Sequence, residues 1–445
     1  MMTVFNHIAA LRGFARHPSR RRDAVVEYQN RQLSRLIPHA YDNVPYYRRL
    51  FDEHGLKPRD IRSVDDLSRI PITSRDVLQQ LPADQLVSRG VAHRRLIAHR
   101  TSGSSGKPVS VRRTWVEERV HGALRLRALR SFGLRVRDIR CRISTPISVY
   151  GTQTEAPQRM VGALGVFRQA SVEGFEAPDV LVRRLATIHP QVVHALPGLL
   201  ARIAHTVDHD TLRSLRLRFI VAGGAMLTPL MRRQIEEGFA APVYEVYGAH
   251  EFNLIAWQCL TTGELHCCDD GMIVEVLADG RPVTEGEPGE VVGTNLHSFA
   301  MPLIRYRLGD VVTKGRSSCR CGRPFSTIRA IQGRMVDYFH LPNGRVLHPY
   351  ALMDSRQRTA SWIREFQVTQ ERVDRVVIRI VPSSTPSSGE IAAWQAPAAA
   401  VLGPDVTLDV QLVPALILEP HGKFRVFRSL VHSLYDDVTT RTARS

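Results

Sequence analysis

Apolar residues recur at helical spacing through residues 24–41, AVVEYQNRQLSRLIPHAY, and Pro45 stops the pattern, which predicts one helix there and a second beginning at Tyr46. From 60 to 80 short apolar runs alternate with turn formers. That stretch predicts short turns and helices with Ser63 and Thr73 as N-caps. RRLIAH and VSVRR read as strands, and residues 115–131 as one long helix. Between about 180 and 310 the pattern becomes a βα alternation: helix-like LVRRLATI, apolar QVVHAL, helix-like LLARIAHTV, strand RLRFIVAGG, helix LMRRQIEEGF and strand PVYEVYG. Short apolar strands alternating with amphipathic helices predict a mostly parallel sheet with covered faces. Residues 272–277, 290–294 and 302–313 read as strands of a further antiparallel piece, and 331–345 as a hairpin closed by Pro342-Asn343-Gly344.

After about 340 the texture changes. WIREFQVTQ and RVVIRIV read as strands, PSSTPSSG as a loop, EIAAWQAPAAAVLG as a helix and VTLDVQLV as a strand, a small α+β unit of about 100 residues. The predicted fold is therefore α/β with α+β, a large domain over 1–334 and a small one over 335–445.

Composition narrows the function. The chain has 445 residues, 43% of them hydrophobic, enough for a sizeable core, and no apolar run approaches the ~18 residues of a membrane span. A cytoplasmic protein without a membrane role is expected. Six cysteines are too few for a disulfide scaffold, so clustered ones read first as metal ligands. The net charge of +17 raises nucleic-acid binding, but the arginines are dispersed and no nucleic-acid motif accompanies them, so attraction to small anions such as ATP or coenzyme A is the expectation instead. Of 60 basic residues only Lys57, Lys107, Lys314 and Lys423 are lysine, and Lys107 and Lys423 each follow a glycine. An ammonium is a compact point charge suited to a crowded phosphate, so these two are the candidate chemical lysines.

Thr101-Ser102-Gly103-Ser104-Ser105-Gly106-Lys107-Pro108 lies between the two strands RRLIAH and VSVRR. Its small residues let the backbone approach an anion, although it lacks the spacing of a Walker loop, and a solvated Ser/Gly turn would read alike. Tyr247-Gly248-Ala249-His250-Glu251 follows an apolar strand, where a ring could stack on a base and a carboxylate could hold Mg²⁺. In Arg305-Tyr306-Arg307-Leu308-Gly309-Asp310 an acid ends a strand and could accept from ribose hydroxyls. Gly333-Arg334 and Gly422-Lys423 follow.

This set, in this order, resembles the acyl-adenylate-forming superfamily, and the run LIPHAYDNVPYYRRLFDEHGLKPRDIRSVDDLSRIPITSRDVL resembles the opening of its phenylacetate-CoA ligase and capsule-cluster ligase-like branch. The resemblance implies a large acyl-adenylate-forming domain and a mobile C-terminal lid. It makes residues 102–107 the loop on the β- and γ-phosphates, Tyr247 the ring on adenine, Glu251 the Mg²⁺ ligand, Asp310 the ribose acceptor and Arg334 a junction residue, with Thr101 and Gly248 also among the cofactor-binding residues. Lys423 would meet the substrate carboxylate and the α-phosphate. The acyl pocket would lie near Ser144–Gly151, Ala195–Gly198 and Gly223-Gly224-Ala225, with His194 and His250 as candidate neighbours. The implied activity is activation of a small carboxylic acid by ATP. Coenzyme A is the expected acceptor, with an amine or a carrier-protein thiol as alternative, and a homodimer is left open. A zinc-containing binding protein without catalysis is the non-enzyme alternative.

Departures accompany the likeness. Ala222-Gly223-Gly224-Ala225-Met226 lacks the acid usual at the adenine edge, Val336 stands where Asp or Lys is usual, and Ser104-Ser105 replaces a Thr pair. Separately, Cys259, His266, Cys319 and Cys321 could make a closed structural Zn²⁺ site, a metal this branch often carries. Cys267 or Cys268 could substitute, and Cys141 reads as core.

Overall fold

The N-terminal pattern forms helix α1 (Arg22–Asn43), whose buried positions Val25, Gln29, Leu33, Leu36, Ile37 and Ala40 fall on one stripe. Val44, extended because a proline follows it, breaks the chain before α2 (Pro45–Glu53). A computed structural model describes residues 21–100, 109–144, 167–174, 176–334, 339–347, 352, 360, 362–416 and 427–431. Neither expected cap between 60 and 80 forms. The short helix Asp65–Arg69 starts behind Val64, and the Ser63 hydroxyl donates to the Asp66 carboxylate instead of capping. The helix Arg75–Gln80 starts behind Ser74, while Thr73 is buried, its hydroxyl 3.1 Å from that of Tyr46 and its N–H donating to the Arg305 carbonyl.

Strands β1 (Ile97–Arg100) and β2 (Ser110–Arg113) pair antiparallel. Helix α3 (Trp115–Ser131) follows, started by a capping box in which Thr114 accepts from the Glu117 N–H and Glu117 accepts from the Thr114 N–H. Then come β3 (Arg140–Ser144), β4 (Gln169–Glu173), α4 (Pro178–Ile188), β5 (Val192–Ala195), α5 (Pro197–Thr206), β6 (Phe219–Gly223), α6 (Pro229–Phe239) and β7 (Val243–Tyr247). The remaining strands of this region are β8 (Ala256–Gln258), β9 (Leu265–Cys267), β10 (Met272–Ala278), β11 (Arg281–Pro282), β12 (Pro288–Asn295), β13 (Tyr306–Lys314) and β14 (Thr327–Arg334).

All but the first two of these strands join one 12-stranded mixed sheet, in the order β11-β10-β12-β13-β14-β9-β8-β7-β6-β5-β3-β4. The segments read as a separate antiparallel piece are thus continuous with the parallel strands. The connection runs through β8, β9 and β14, which are too short or too polar to stand out by periodicity. Alternation along the strands feeds two cores. Phe219 and Val221 on β6 meet Leu124, Ala128 and Phe132 of α3, whereas Leu33, Leu36, Tyr47 and Phe51 of α1 and α2 meet Val291, Leu303, Ile304 and Tyr306 on the antiparallel side. Each such side chain, fully buried, contributes about 1.5–3 kcal/mol.

The chain divides into two compact units, 1–224 with 235–331, and 225–234 with 332–445. Division at 334/335 in the sequence left 225–234 in the large part. In the second unit β15 (Phe339–His340) and β16 (Val346–Leu347) form a short hairpin around the expected 342–344 turn, but later than the expected 331–345, whose first residues end β14. A separate four-stranded sheet has the order β19 (Thr407–Leu412), β18 (Arg375–Pro382), β17 (Ile363–Arg372), β20 (Phe427–Ser429). Helix α7 (Ser388–Leu402) has a Ser387/Glu390 capping box and sets Trp394 edge-on against Trp362, ring centroids 6.0 Å apart. Gln234 donates from its side-chain amide to the Arg364 carbonyl at 2.9 Å, which ties the 225–234 segment to β17. No helix among the described residues is long and apolar enough to cross a membrane.

Candidate active site and metal cluster

Strands β3, β5, β6 and β7 run parallel in adjacent register, so Ser144, Ala195, Gly223 and Tyr247 come to one edge of the sheet, the carboxyl edge where α/β folds bind ligands. Two glycines make that edge tight. A Cβ at Gly223 would stand 2.6 Å from Val246 Cγ2, and one at Gly248 would stand 2.2 Å from the Asn253 carbonyl oxygen. The latter closes the turn that carries Glu251 and returns the chain to β8, whose Ala256 pairs with Tyr247.

The Tyr247 hydroxyl donates to Asp310 Oδ2 at 2.7 Å, joining the end of β7 to β13 on the antiparallel side. Asp310 does not end its strand, as the sequence suggested. From Glu290 to Val292 on β12 the partner strand runs from Val311 back to Arg307, two residues against four, so Leu308, Gly309 and Asp310 form a bulge. Gly309, at φ 76°, supplies the left-handed turn. Glu251 is buried, and Tyr306, adjacent to the bulge, donates to its Oε1 at 3.4 Å.

Sequence reading missed the residues under this turn. Arg113, 1% exposed at the end of β2, donates from Nη2 to the carbonyls of His250 (2.8 Å) and Glu251 (2.7 Å). Its Nη1 lies 3.5 Å from Glu118 Oε2, which is 3.0 Å from His99 Nε2. Burial pushes the Glu118 carboxyl upward, but the His99 hydrogen bond and the Arg113 charge outweigh it and hold the group at about 2. No motif marks these residues; the only sequence signal was a charged run at the start of a predicted helix. His194, half-buried and facing Arg142 across β3 and β5, is held well below its ordinary range, first by burial and then by the charges of Arg125 and Arg142, which favours the neutral imidazole.

The cluster Cys259, His266, Cys319 and Cys321 lies elsewhere on the same unit, with one ligand atom of each residue all within 4.8 Å of one another. Cys319 Sγ is 3.8 Å from Cys259 Sγ, and His266 Nε2 is 3.3 Å from Cys321 Sγ. A tetrahedral ion with bonds of about 2.0–2.3 Å needs donors roughly 3.5–3.8 Å apart, so this set fits a four-coordinate metal. Burial opposes ionisation of Cys259, but hydrogen bonds from Thr262 and the Thr261 amide bring it down to about 7, the thiolate form a metal takes. Cys319, first by burial and also by the neighbouring Cys259, is pushed up to about 12. Cys267 and Cys268 are not in the set: both are buried, and Cys268 lies against Arg127 and Asp270, themselves paired at 2.7 Å. Cys141 is core.

Several expected site residues lie outside the described residues: Thr101, Ser102, Gly103, Ser104, Ser105, Gly106, Lys107, the pocket stretch 145–151, Val336 and Lys423. Arg334 is the last residue of β14, its side chain also outside them, and Ala225 belongs to the second unit.

The sequence is 29% identical over 332 residues to a phenylacetate-coenzyme A ligase of Thermus thermophilus, covering 71% of this chain and 72% of that one. A protein of the same name from Escherichia coli is 28% identical over 305 residues, 65% and 67% of the two chains. The fold matches that of a 2-hydroxyisobutyryl-CoA ligase in its postadenylation state with TM-score 0.75 and 22% identity over 95% of this chain and 92% of that one. The chain is thus similar in sequence to phenylacetate-coenzyme A ligases and shares the fold of this CoA ligase. An anthranilate CoA ligase complexed with anthranoyl-AMP aligns with TM-score 0.55 and 14% identity over 78% of this chain and 66% of that one. No family model matches the chain.

Proposed function

We propose that this protein is an AMP-forming acid–thiol ligase: a carboxylic acid and ATP give an acyl-adenylate and pyrophosphate, and the acyl group then passes to coenzyme A. The observation that carries this reading is the convergence of Tyr247, Asp310 and Glu251, from both halves of the sheet, beside the glycine-tight carboxyl edge. In this reading the Tyr247 ring lies against adenine while its hydroxyl holds Asp310 toward the ribose hydroxyls. Glu251 would hold Mg²⁺, whose chemistry is to offset phosphate charge. The substrate carboxylate attacks the α-phosphorus as negative charge grows on its oxygens and pyrophosphate leaves; Lys423 is assigned to oppose that charge, and Lys107 to the β- and γ-phosphates.

The cysteine cluster is assigned to structural Zn²⁺, since three thiolates and an imidazole leave no ligand position for water. A cytoplasmic setting belongs with this, because reduced thiols are needed there. The acid itself is assigned to the aromatic or similarly bulky class, admitted by the small residues Ala195, Gly198, Gly223 and Gly224 at the edge.

Acid-dependent exchange of pyrophosphate into ATP, over a panel of aromatic and aliphatic acids, tests the first half. Adding coenzyme A or an amine to the productive acid tests the second. Exchange with no acid in the panel would refute the ligase; exchange followed by transfer only to the amine would move the acceptor.

A further inference from the structure

Resting on the adenylation reading above, we infer that Arg113, Glu118 and His99 are positioning residues that aim the Glu251 carboxylate at its metal. A buried guanidinium is costly unless its charge and its hydrogens are both answered. Glu118 answers the charge, and the carbonyls of His250 and Glu251 take Nη2, at 2.8 and 2.7 Å. Because guanidinium is a rigid planar fork, fixing it fixes both carbonyls at once. The two peptides that flank the Glu251 Cα are then held in orientation, and with them the direction in which the Glu251 side chain leaves the backbone.

Glu118 is itself fixed from two directions. It sits near the start of α3, and the oxygen facing Arg113 also meets His99 on β1. Since Ile97 pairs with Arg113 and His99 with Val111, the network locks the β1–β2 hairpin, the first turn of α3 and the Glu251 turn into one piece. Two neighbouring elements and a turn far along the chain are thereby referred to one carboxylate, that of Glu118. A network serving stability alone would leave metal dependence unchanged when it is loosened without unfolding.

The experiment measures pyrophosphate exchange against Mg²⁺ concentration in Arg113→Lys, Glu118→Gln and Glu251→Gln, singly and combined. Arg113→Lys keeps the charge and loses the fork. It is expected to raise the Mg²⁺ concentration at half-maximal rate about tenfold while KM for the acid stays within about twofold. Glu118→Gln, isosteric and so the safer variant for folding, is expected to give a shift of roughly threefold. In the Glu251→Gln background neither substitution should shift the Mg²⁺ dependence further, the mark of action through that residue. An unchanged Mg²⁺ dependence in folded Arg113→Lys and Glu118→Gln, or shifts that persist undiminished without Glu251, overturns the inference. Should the parent show no exchange with any acid, the ligase reading fails by itself. Mg²⁺-dependent ATP binding by calorimetry then decides the inference with the same variants, supporting it if the shift is present and overturning it if absent.

Discussion

The Tyr247–Asp310–Glu251 site and the Cys259–His266–Cys319–Cys321 cluster belong to the same unit, yet they are held in opposite ways. In the cluster the donors meet one another: four ligand atoms within 4.8 Å need only an ion to complete them. In the proposed site the carboxylates of Asp310 and Glu251 are directed by groups around them, the Tyr247 and Tyr306 hydroxyls and the Arg113 fork. A closed cluster is its own support once metal is bound. In an open one the supporting groups must come from the rest of the fold.

If that contrast is right, substitutions in the two places separate into rate and stability. The largest effect belongs to Glu251→Ala, expected to lower the exchange rate by about 10²–10³ with an unchanged melting temperature, by removing a charge-stabilising group. Next, Cys319→Ser, or a chelator applied to the parent, should release zinc measurable by metal analysis and lower the melting temperature by roughly 5–10 °C, with activity falling only as the fold does. Loss of activity without loss of stability in Cys319→Ser would erase the distinction. Asp310→Asn keeps the shape and loses the charge; KM for ATP should rise about tenfold or more, read by steady-state kinetics at saturating acid. The smallest effect is expected of Tyr247→Phe, which keeps the ring and loses only the hydroxyl donated to Asp310, raising KM for ATP by roughly two- to tenfold. A Tyr247→Phe effect larger than that of Asp310→Asn would mean that the ring, not the ribose acceptor, needs the hydrogen bond.

Much of the frame is legible because burial repeats in sequence. Helices 115–131 and 229–239 and strands 219–223 and 243–247 show their periods plainly, and the small unit shows its strand, helix and strand in order. The four cysteine-cluster residues stand out by residue type alone. What could not be read depends on pairing across distance. The β8–β9–β14 bridge that makes one sheet of two halves depends on two three-residue strands, β8 and β9. Arg113 is one arginine among dozens, and nothing local distinguishes a buried fork from a solvated one. The Thr73 cap failed because a partner elsewhere in the fold, Tyr46, takes its hydroxyl, whereas the Ser63 hydroxyl turns to Asp66 three residues on, within the helix it was expected to cap.

The bulge at Leu308–Asp310 has a consequence for how such a protein can change. Its extra residues are absorbed locally, and pairing resumes between Glu290 and Val311 as though nothing had intervened. The stretch can therefore drift in length or angle under selection for a different nucleotide grip while the neighbouring ladder is inherited intact, so binding can evolve there without renegotiating the architecture.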